Sequence, residues 1–179
     1  MPGSIATGFR EIANALPSTL VELSISSQTP EDIDALAASP IAAQLERLAI
    51  GTTKLVGVGD LFGVFPKLRA LDLAYTSPVE TEAASAVAAF TRAKLPALRE
   101  LRPFTGLTDA QALAIADAFG AQLACFDVLG DDLTCRGALL PRIAGHLRSG
   151  PYQKNDPPMQ VGVDPREPWL RYGEVRLGY

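Results

Sequence analysis

Apolar and polar positions alternate along this chain in a short motif, Leu-x-x-Leu-x-Leu, in which other apolar residues substitute for leucine. It occurs as Leu20-Leu23-Ile25, Leu45-Leu48-Ile50, Leu68-Leu71-Leu73, Leu98-Leu101 and Leu123-Phe126-Val128. Successive first positions are 25, 23, 30 and 25 residues apart, which is the spacing of a stacked repeat unit. Inside each motif the two-residue period predicts a short strand with one buried and one exposed face. One such motif is common by chance in an apolar sequence; five in near-regular phase are not.

Between the motifs the period lengthens to about 3.6 residues, as an intervening helix requires. Thr29-Pro30-Glu31-Asp32 supplies an N-cap, a proline at the first helical position and acids at the positive helix end, followed by Ile33, Leu36 and Ala37 at helical spacing. Val79 to Ala93 reads as a second helix, with Ala84, Val87, Ala88 and Phe90 available for burial. A third opens at Thr108, with Gln111 completing a capping box and Gly120 suited to end it. Its inward stripe is expected to contain Leu113, Ala116, Ala118 and Phe119. Gly57, Gly59 and Gly63 limit the piece between Leu55 and Phe65 to a short, irregular helix.

The stretches Leu107-Thr108-Asp109-Ala110-Gln111-Ala112-Leu113 and Leu133-Thr134-Cys135-Arg136-Gly137-Ala138-Leu139, 26 residues apart, resemble the helix-opening part of ribonuclease-inhibitor-type leucine-rich repeats. With the five strand motifs, the resemblance spans roughly residues 16–146. It implies an α/β fold: a right-handed αβ solenoid with a parallel sheet on the concave side and helices on the convex side. It also implies binding through the concave side. The sequence departs from the family at the position commonly held by a loop-capping Asn, where it has Gln28, Thr53, Thr76, Gly106 and Asp131. Pro103 replaces the third apolar residue of the fourth motif, which weakens pairing at that strand.

A stack of repeats exposes apolar surface at its ends and needs caps. Ile5, Phe9, Ile12, Ala13 and Leu16 form a partly helical pattern suited to cover the first strand, so residues 1–148 are expected to form the solenoid with its N-terminal cap. Residues 149–179 change composition: Pro151, Pro157, Pro158, Pro165 and Pro168 disfavour helix, and Val175, Leu177 and Tyr179 alternate with polar or small residues. This segment is read as a proline-rich connection and a strand-like cap, or as an arm that reaches another chain.

With 179 residues and 47% apolar content, the chain can bury about 70% of its surface as one domain. Its net charge of −4 argues against nucleic acid, which requires clustered cations. No apolar run approaches the ~20 residues of a membrane span. Arg10 and Glu11 interrupt the apolar stretch that an export signal needs, and Cys125 and Cys135 form no Cys-x-x-Cys pair. A cytoplasmic protein with free, partly buried thiols is expected, without metal or cofactor.

The strand period sorts the exposed positions into three rows: Glu22, Arg47, Ala70, Glu100, Cys125; Ser24, Ala49, Asp72, Arg102, Asp127; and Ser26, Gly51, Ala74, Phe104, Leu129, with Tyr75 beside the last. Neighbouring strands lie about 4.8 Å apart, which lets Asp72, Arg102 and Asp127 form an alternating-charge ladder. Exposed ion pairs contribute only ~0–1 kcal/mol and serve to make a face soluble. Combined with Tyr75, Phe104 and Leu129, however, the ladder has the residue types of a binding surface. The expected contact residues for a protein partner are therefore Arg47, Asp72, Tyr75, Glu100, Arg102, Phe104, Asp127 and Leu129.

Catalysis has little support. His146, the only histidine, follows Leu139, Leu140 and Ile143 and reads as a helix-end residue facing the dipole. Asp131-Asp132 sits in a turn that caps the next helix, Gly57-Val58-Gly59 lacks the rest of a phosphate-binding loop, and no Gly-x-Ser-x-Gly occurs. The expected role is a non-enzymatic protein-binding module, monomeric or weakly self-associating. A structural spacer or oligomerisation piece using the C-terminal strand is the alternative, and a hydrolase or transferase the third.

Overall fold

The computed structural model describes residues 16–26, 30–51, 64–73, 80–129 and 133–150. Six strands form one sheet in sequence order, each parallel to its neighbours: β1 Glu22–Ser26, β2 Arg47–Gly51, β3 Ala70–Asp72, β4 Glu100–Arg102, β5 Cys125–Leu129 and β6 His146–Gly150. The helices are α1 Pro30–Ala38, α2 Glu80–Thr91, α3 Asp109–Phe119 and α4 Arg136–Leu139, and the last two run on into 3-10 turns at Gly120–Gln122 and Leu140–Arg142. The fold is of the α/β class.

Register follows the leucine motif. Leu23, Leu48, Leu71, Leu101, Phe126 and Leu147 pair in one row across all six strands. Their face of the sheet meets Leu36, Val87, Phe90, Ala112, Ile115, Ala116 and Phe119 from the helices in one apolar cluster. Each fully buried leucine there contributes on the order of 1.5–3 kcal/mol from burial. At the head of each strand from β1 to β4 the neighbouring chain makes the same connection. The carbonyls of Val21, Glu46, Arg69 and Arg99 each accept two successive N–H groups, ending with Ala124 and Cys125 on Arg99 at 2.6 and 3.0 Å.

The start of α3 behaves as its cap requires, whereas Thr29, the cap expected for α1, lies outside the described residues. Thr108 is the N-cap of α3, its hydroxyl accepting from the Gln111 amide while the Gln111 side chain accepts from the Thr108 N–H. Gly120 ends α3 for a different reason from the one expected. Its backbone is right-handed, with φ −56 and ψ −35, so it fills no left-handed cap. Instead, a Cβ there would lie 2.3 Å from the Arg142 carbonyl oxygen. Pro103 acts as expected: β4 stops at Arg102, and its pairing with β5 runs only through Glu100 and Leu101.

The sheet runs one strand further than the five motifs indicate. His146 opens β6 instead of closing a helix, and β6 continues to Gly150, past the expected boundary after residue 148. The N-terminal cap at 4–15, the irregular piece between Leu55 and Phe65 (apart from Val64 and Phe65 themselves) and the segment 151–179 lie outside the described residues. Among the described residues, no helix is long and apolar enough to cross a membrane.

Candidate functional site

The face of the sheet turned away from the helices carries the rows that strand alternation assigns to it. Glu22, Arg47, Ala70, Glu100, Cys125 and His146 are register partners in sequence. The second row runs through Ser24, Ala49, Asp72 and Arg102, then Asp127 and its partner Arg148.

Charges along both rows are linked. Arg47 lies 3.9 Å from Glu22 and 3.9 Å from Glu100, reaching the latter across the small side chain of Ala70. Arg102 donates from Nε and Nη2 to Asp127 Oδ2 at 3.2 and 2.8 Å, and from Nη1 to Asp72 Oδ2 at 3.3 Å. Arg148 Nη1 stands 3.3 Å from the same Asp127 oxygen. A single guanidinium thus ties three strands together, and Asp127 lies fully buried between two arginines. Burying a carboxylate alone costs several kcal/mol, which the two cations and the hydrogen bonds offset.

The arrangement differs in part from the surface the sequence suggests. Arg47, Asp72 and Arg102 retain partial exposure, but Glu100 and Asp127 are sealed at 1% and 0%. Phe104, expected on the exposed face, is 1% exposed and belongs to the core. Its ring meets Phe90 edge-on at 5.7 Å. Once Pro103 ends the strand, the two-residue alternation that placed Phe104 outward no longer applies. Leu129 takes its place in β5, opposite Gly150. Tyr75, Asp131, Asp132 and the Gly57-Val58-Gly59 segment lie outside the described residues.

Sequence reasoning missed Arg148 and the strand position of His146. The sixth motif reads Ala144-x-x-Leu147-x-Ser149, with only its central position a leucine. The surviving signal is the alternation His146-Leu147-Arg148.

The thiols are poor nucleophiles. Burial, reinforced by the Asp127 carboxylate, pushes Cys125 up to about 11, so it is a neutral thiol at physiological pH. Burial also raises Cys135, helped by a hydrogen bond with Asp109. Among the described residues, no three His, Cys, Asp or Glu side chains are grouped to hold a metal ion.

No family model, curated protein or solved structure matches this chain.

Proposed function

We propose that this chain is a short leucine-rich-repeat-type solenoid whose polar sheet face is concave and binds a protein partner, without catalysing a reaction. The observation that carries this reading is the side-chain network Asp72–Arg102–Asp127–Arg148, which spans four adjacent strands on the face turned away from the helices. A flexible arginine loses rotamer freedom when a partner immobilises it, at ~0.5–1.5 kcal/mol per side chain. Here ion pairs across the strands already hold the guanidiniums, so part of that cost is met on folding. Two neutral thiols suit a binding face better than a nucleophilic site. The free state of Cys125 and Cys135 suits a reducing, cytoplasmic location.

The test blocks the face without touching its charges. Ser24 and Ala49 belong to the second row, Ser24 exposed and Ala49 half-buried, and Ser24→Trp with Ala49→Trp adds uncharged bulk there. Ala114→Trp with Ala118→Trp does the same on the exposed side of α3, where Ala118 lies instead of on the inward stripe expected for it. A partner isolated by affinity capture and purified is expected to bind wild type and the α3 variant equally in calorimetry, and to lose at least about tenfold in affinity for the sheet-face variant, ~1.4 kcal/mol. Loss only in the α3 variant would move the site to the helices and overturn the proposal.

A further inference from the structure

The exposed charges on the polar face are unevenly distributed. Over β1–β3 the accessible groups alternate in sign: Glu22, Arg47 and Asp72 all keep solvent contact. Over β4–β6 the carboxylates Glu100 and Asp127 are sealed beneath the surface. The groups that reach solvent there are cationic or basic: Arg102 at 13%, Arg148 at 24%, and an exposed His146. Among the described residues, what a partner meets at this end is therefore guanidinium and imidazole, although the sheet beneath them is balanced in charge.

A second observation concerns hydrogen bonding. Asp127 Oδ2 already accepts two hydrogen bonds from Arg102. Arg148 shares that oxygen as an ion pair through Nη1, a buried atom that makes no hydrogen bond among the described residues, while the side chain as a whole keeps 24% exposure. A guanidinium carries five N–H donors in a planar fork that matches a carboxylate. Of the two arginines, Arg148 is the one with fewer hydrogen bonds, and it is on the last strand of the sheet among the described residues.

We propose that the β4–β6 half of this face takes a carboxylate-rich peptide segment of the partner, held by Arg148 with Arg102 and His146 beside it. This rests on the sheet face being the binding surface. A glutamate or aspartate side chain supplies a second acceptor for the part of Arg148 that reaches solvent, its buried Nη1 staying on Asp127, and charge-assisted bonds of this kind are the strong ones. A basic segment would meet the same cations and be repelled.

The experiment is fluorescence anisotropy on the full chain with labelled oligo-glutamate, oligo-lysine and glycine–serine peptides of equal length. Saturable binding of oligo-glutamate alone is expected, weakening as salt shortens the reach of the charges. Arg148→Gln is expected to weaken it about tenfold, as loss of a charged hydrogen bond does, and Arg148→Lys to restore part of it by returning the charge. Far-UV circular dichroism of each variant separates lost binding from lost fold. Preference for oligo-lysine, or unchanged oligo-glutamate binding by folded Arg148→Gln, overturns the proposal. The purified partner then separates the two readings. Binding lost with Ser24→Trp and Ala49→Trp together but kept with Arg148→Gln leaves the face standing and removes the acidic segment; binding kept in both removes the face as well.

Discussion

Gly145 shows how a single residue lets the last strand join the sheet. At the earlier junctions one carbonyl receives two consecutive N–H groups; before β6 those bonds are split, Ala144 N–H going to Gly120 O at 2.9 Å and His146 N–H to Ala124 O at 2.8 Å. Gly145 lies between them, so close to the neighbouring chain that a Cβ would sit 2.0 Å from the Ala124 oxygen. The contact is with backbone, which cannot rotate away. Gly145→Ala is therefore expected to cost about 1–3 kcal/mol, the range for overpacking, seen as a lower melting temperature. Gly137→Ala is the matched control: it lies in α4, where a Cβ would meet nothing within 4 Å, and helix propensity favours alanine there. Equal melting of the Gly145 variant and wild type would refute the close approach. Phe104 teaches the complementary lesson at this scale, since its burial depends on where Pro103 stops the strand and not on its own place in the motif.

Between elements, the start of α3 is tied to the chain leading into α4. The Asp109 carboxylate accepts hydrogen bonds from the Thr134 N–H at 2.9 Å and from the Thr134 hydroxyl. These bonds hold the Asp109 carboxyl below its ordinary value of 3.8. A carboxyl lowered in this way adds stability that is complete above the unfolded-chain value and is lost as pH falls through the lowered one. Chemical denaturation of wild type and Asp109→Asn should accordingly show a constant gap at neutral pH that closes in acid below that ordinary value. A gap that stays open in acid would mean that the carboxylate's charge plays no part in the link. The helices themselves were largely legible: Thr108, Gln111 and Pro30 announce their starts in local chemistry. The reason for Gly120 was not, because the carbonyl it must avoid belongs to Arg142, 22 residues further along the chain.

For the molecule as a whole, the charge network is a coupled unit. Removing Arg102 leaves Asp127 fully buried with one cation fewer, whereas removing both partners removes the need for compensation. Arg102→Met is expected to destabilise by about 3–5 kcal/mol, and the double variant Arg102→Met with Asp127→Leu by clearly less. Urea denaturation of the two single variants and the double variant measures this coupling. Additive losses would show that the pair is independent and that the network gives the face no shared rigidity. The rows that build this network were readable in advance, because five motifs in phase bring positions of equal rank side by side. The sixth strand was not, because its motif keeps only Leu147 and draws the rest of its definition from pairing with β5.

The amino-acid order alone determined the first five strand positions, their leucine row, the capped start of α3 and the charged rows across those five strands, since each rests on local periodicity or on contacts within a few residues. Tertiary structure decided which charges reach solvent, which glycines are required, that Phe104 turns inward and that Arg148 joins Asp127. Those outcomes depend on how closely segments distant in sequence approach one another, and burial and backbone crowding are properties of that approach.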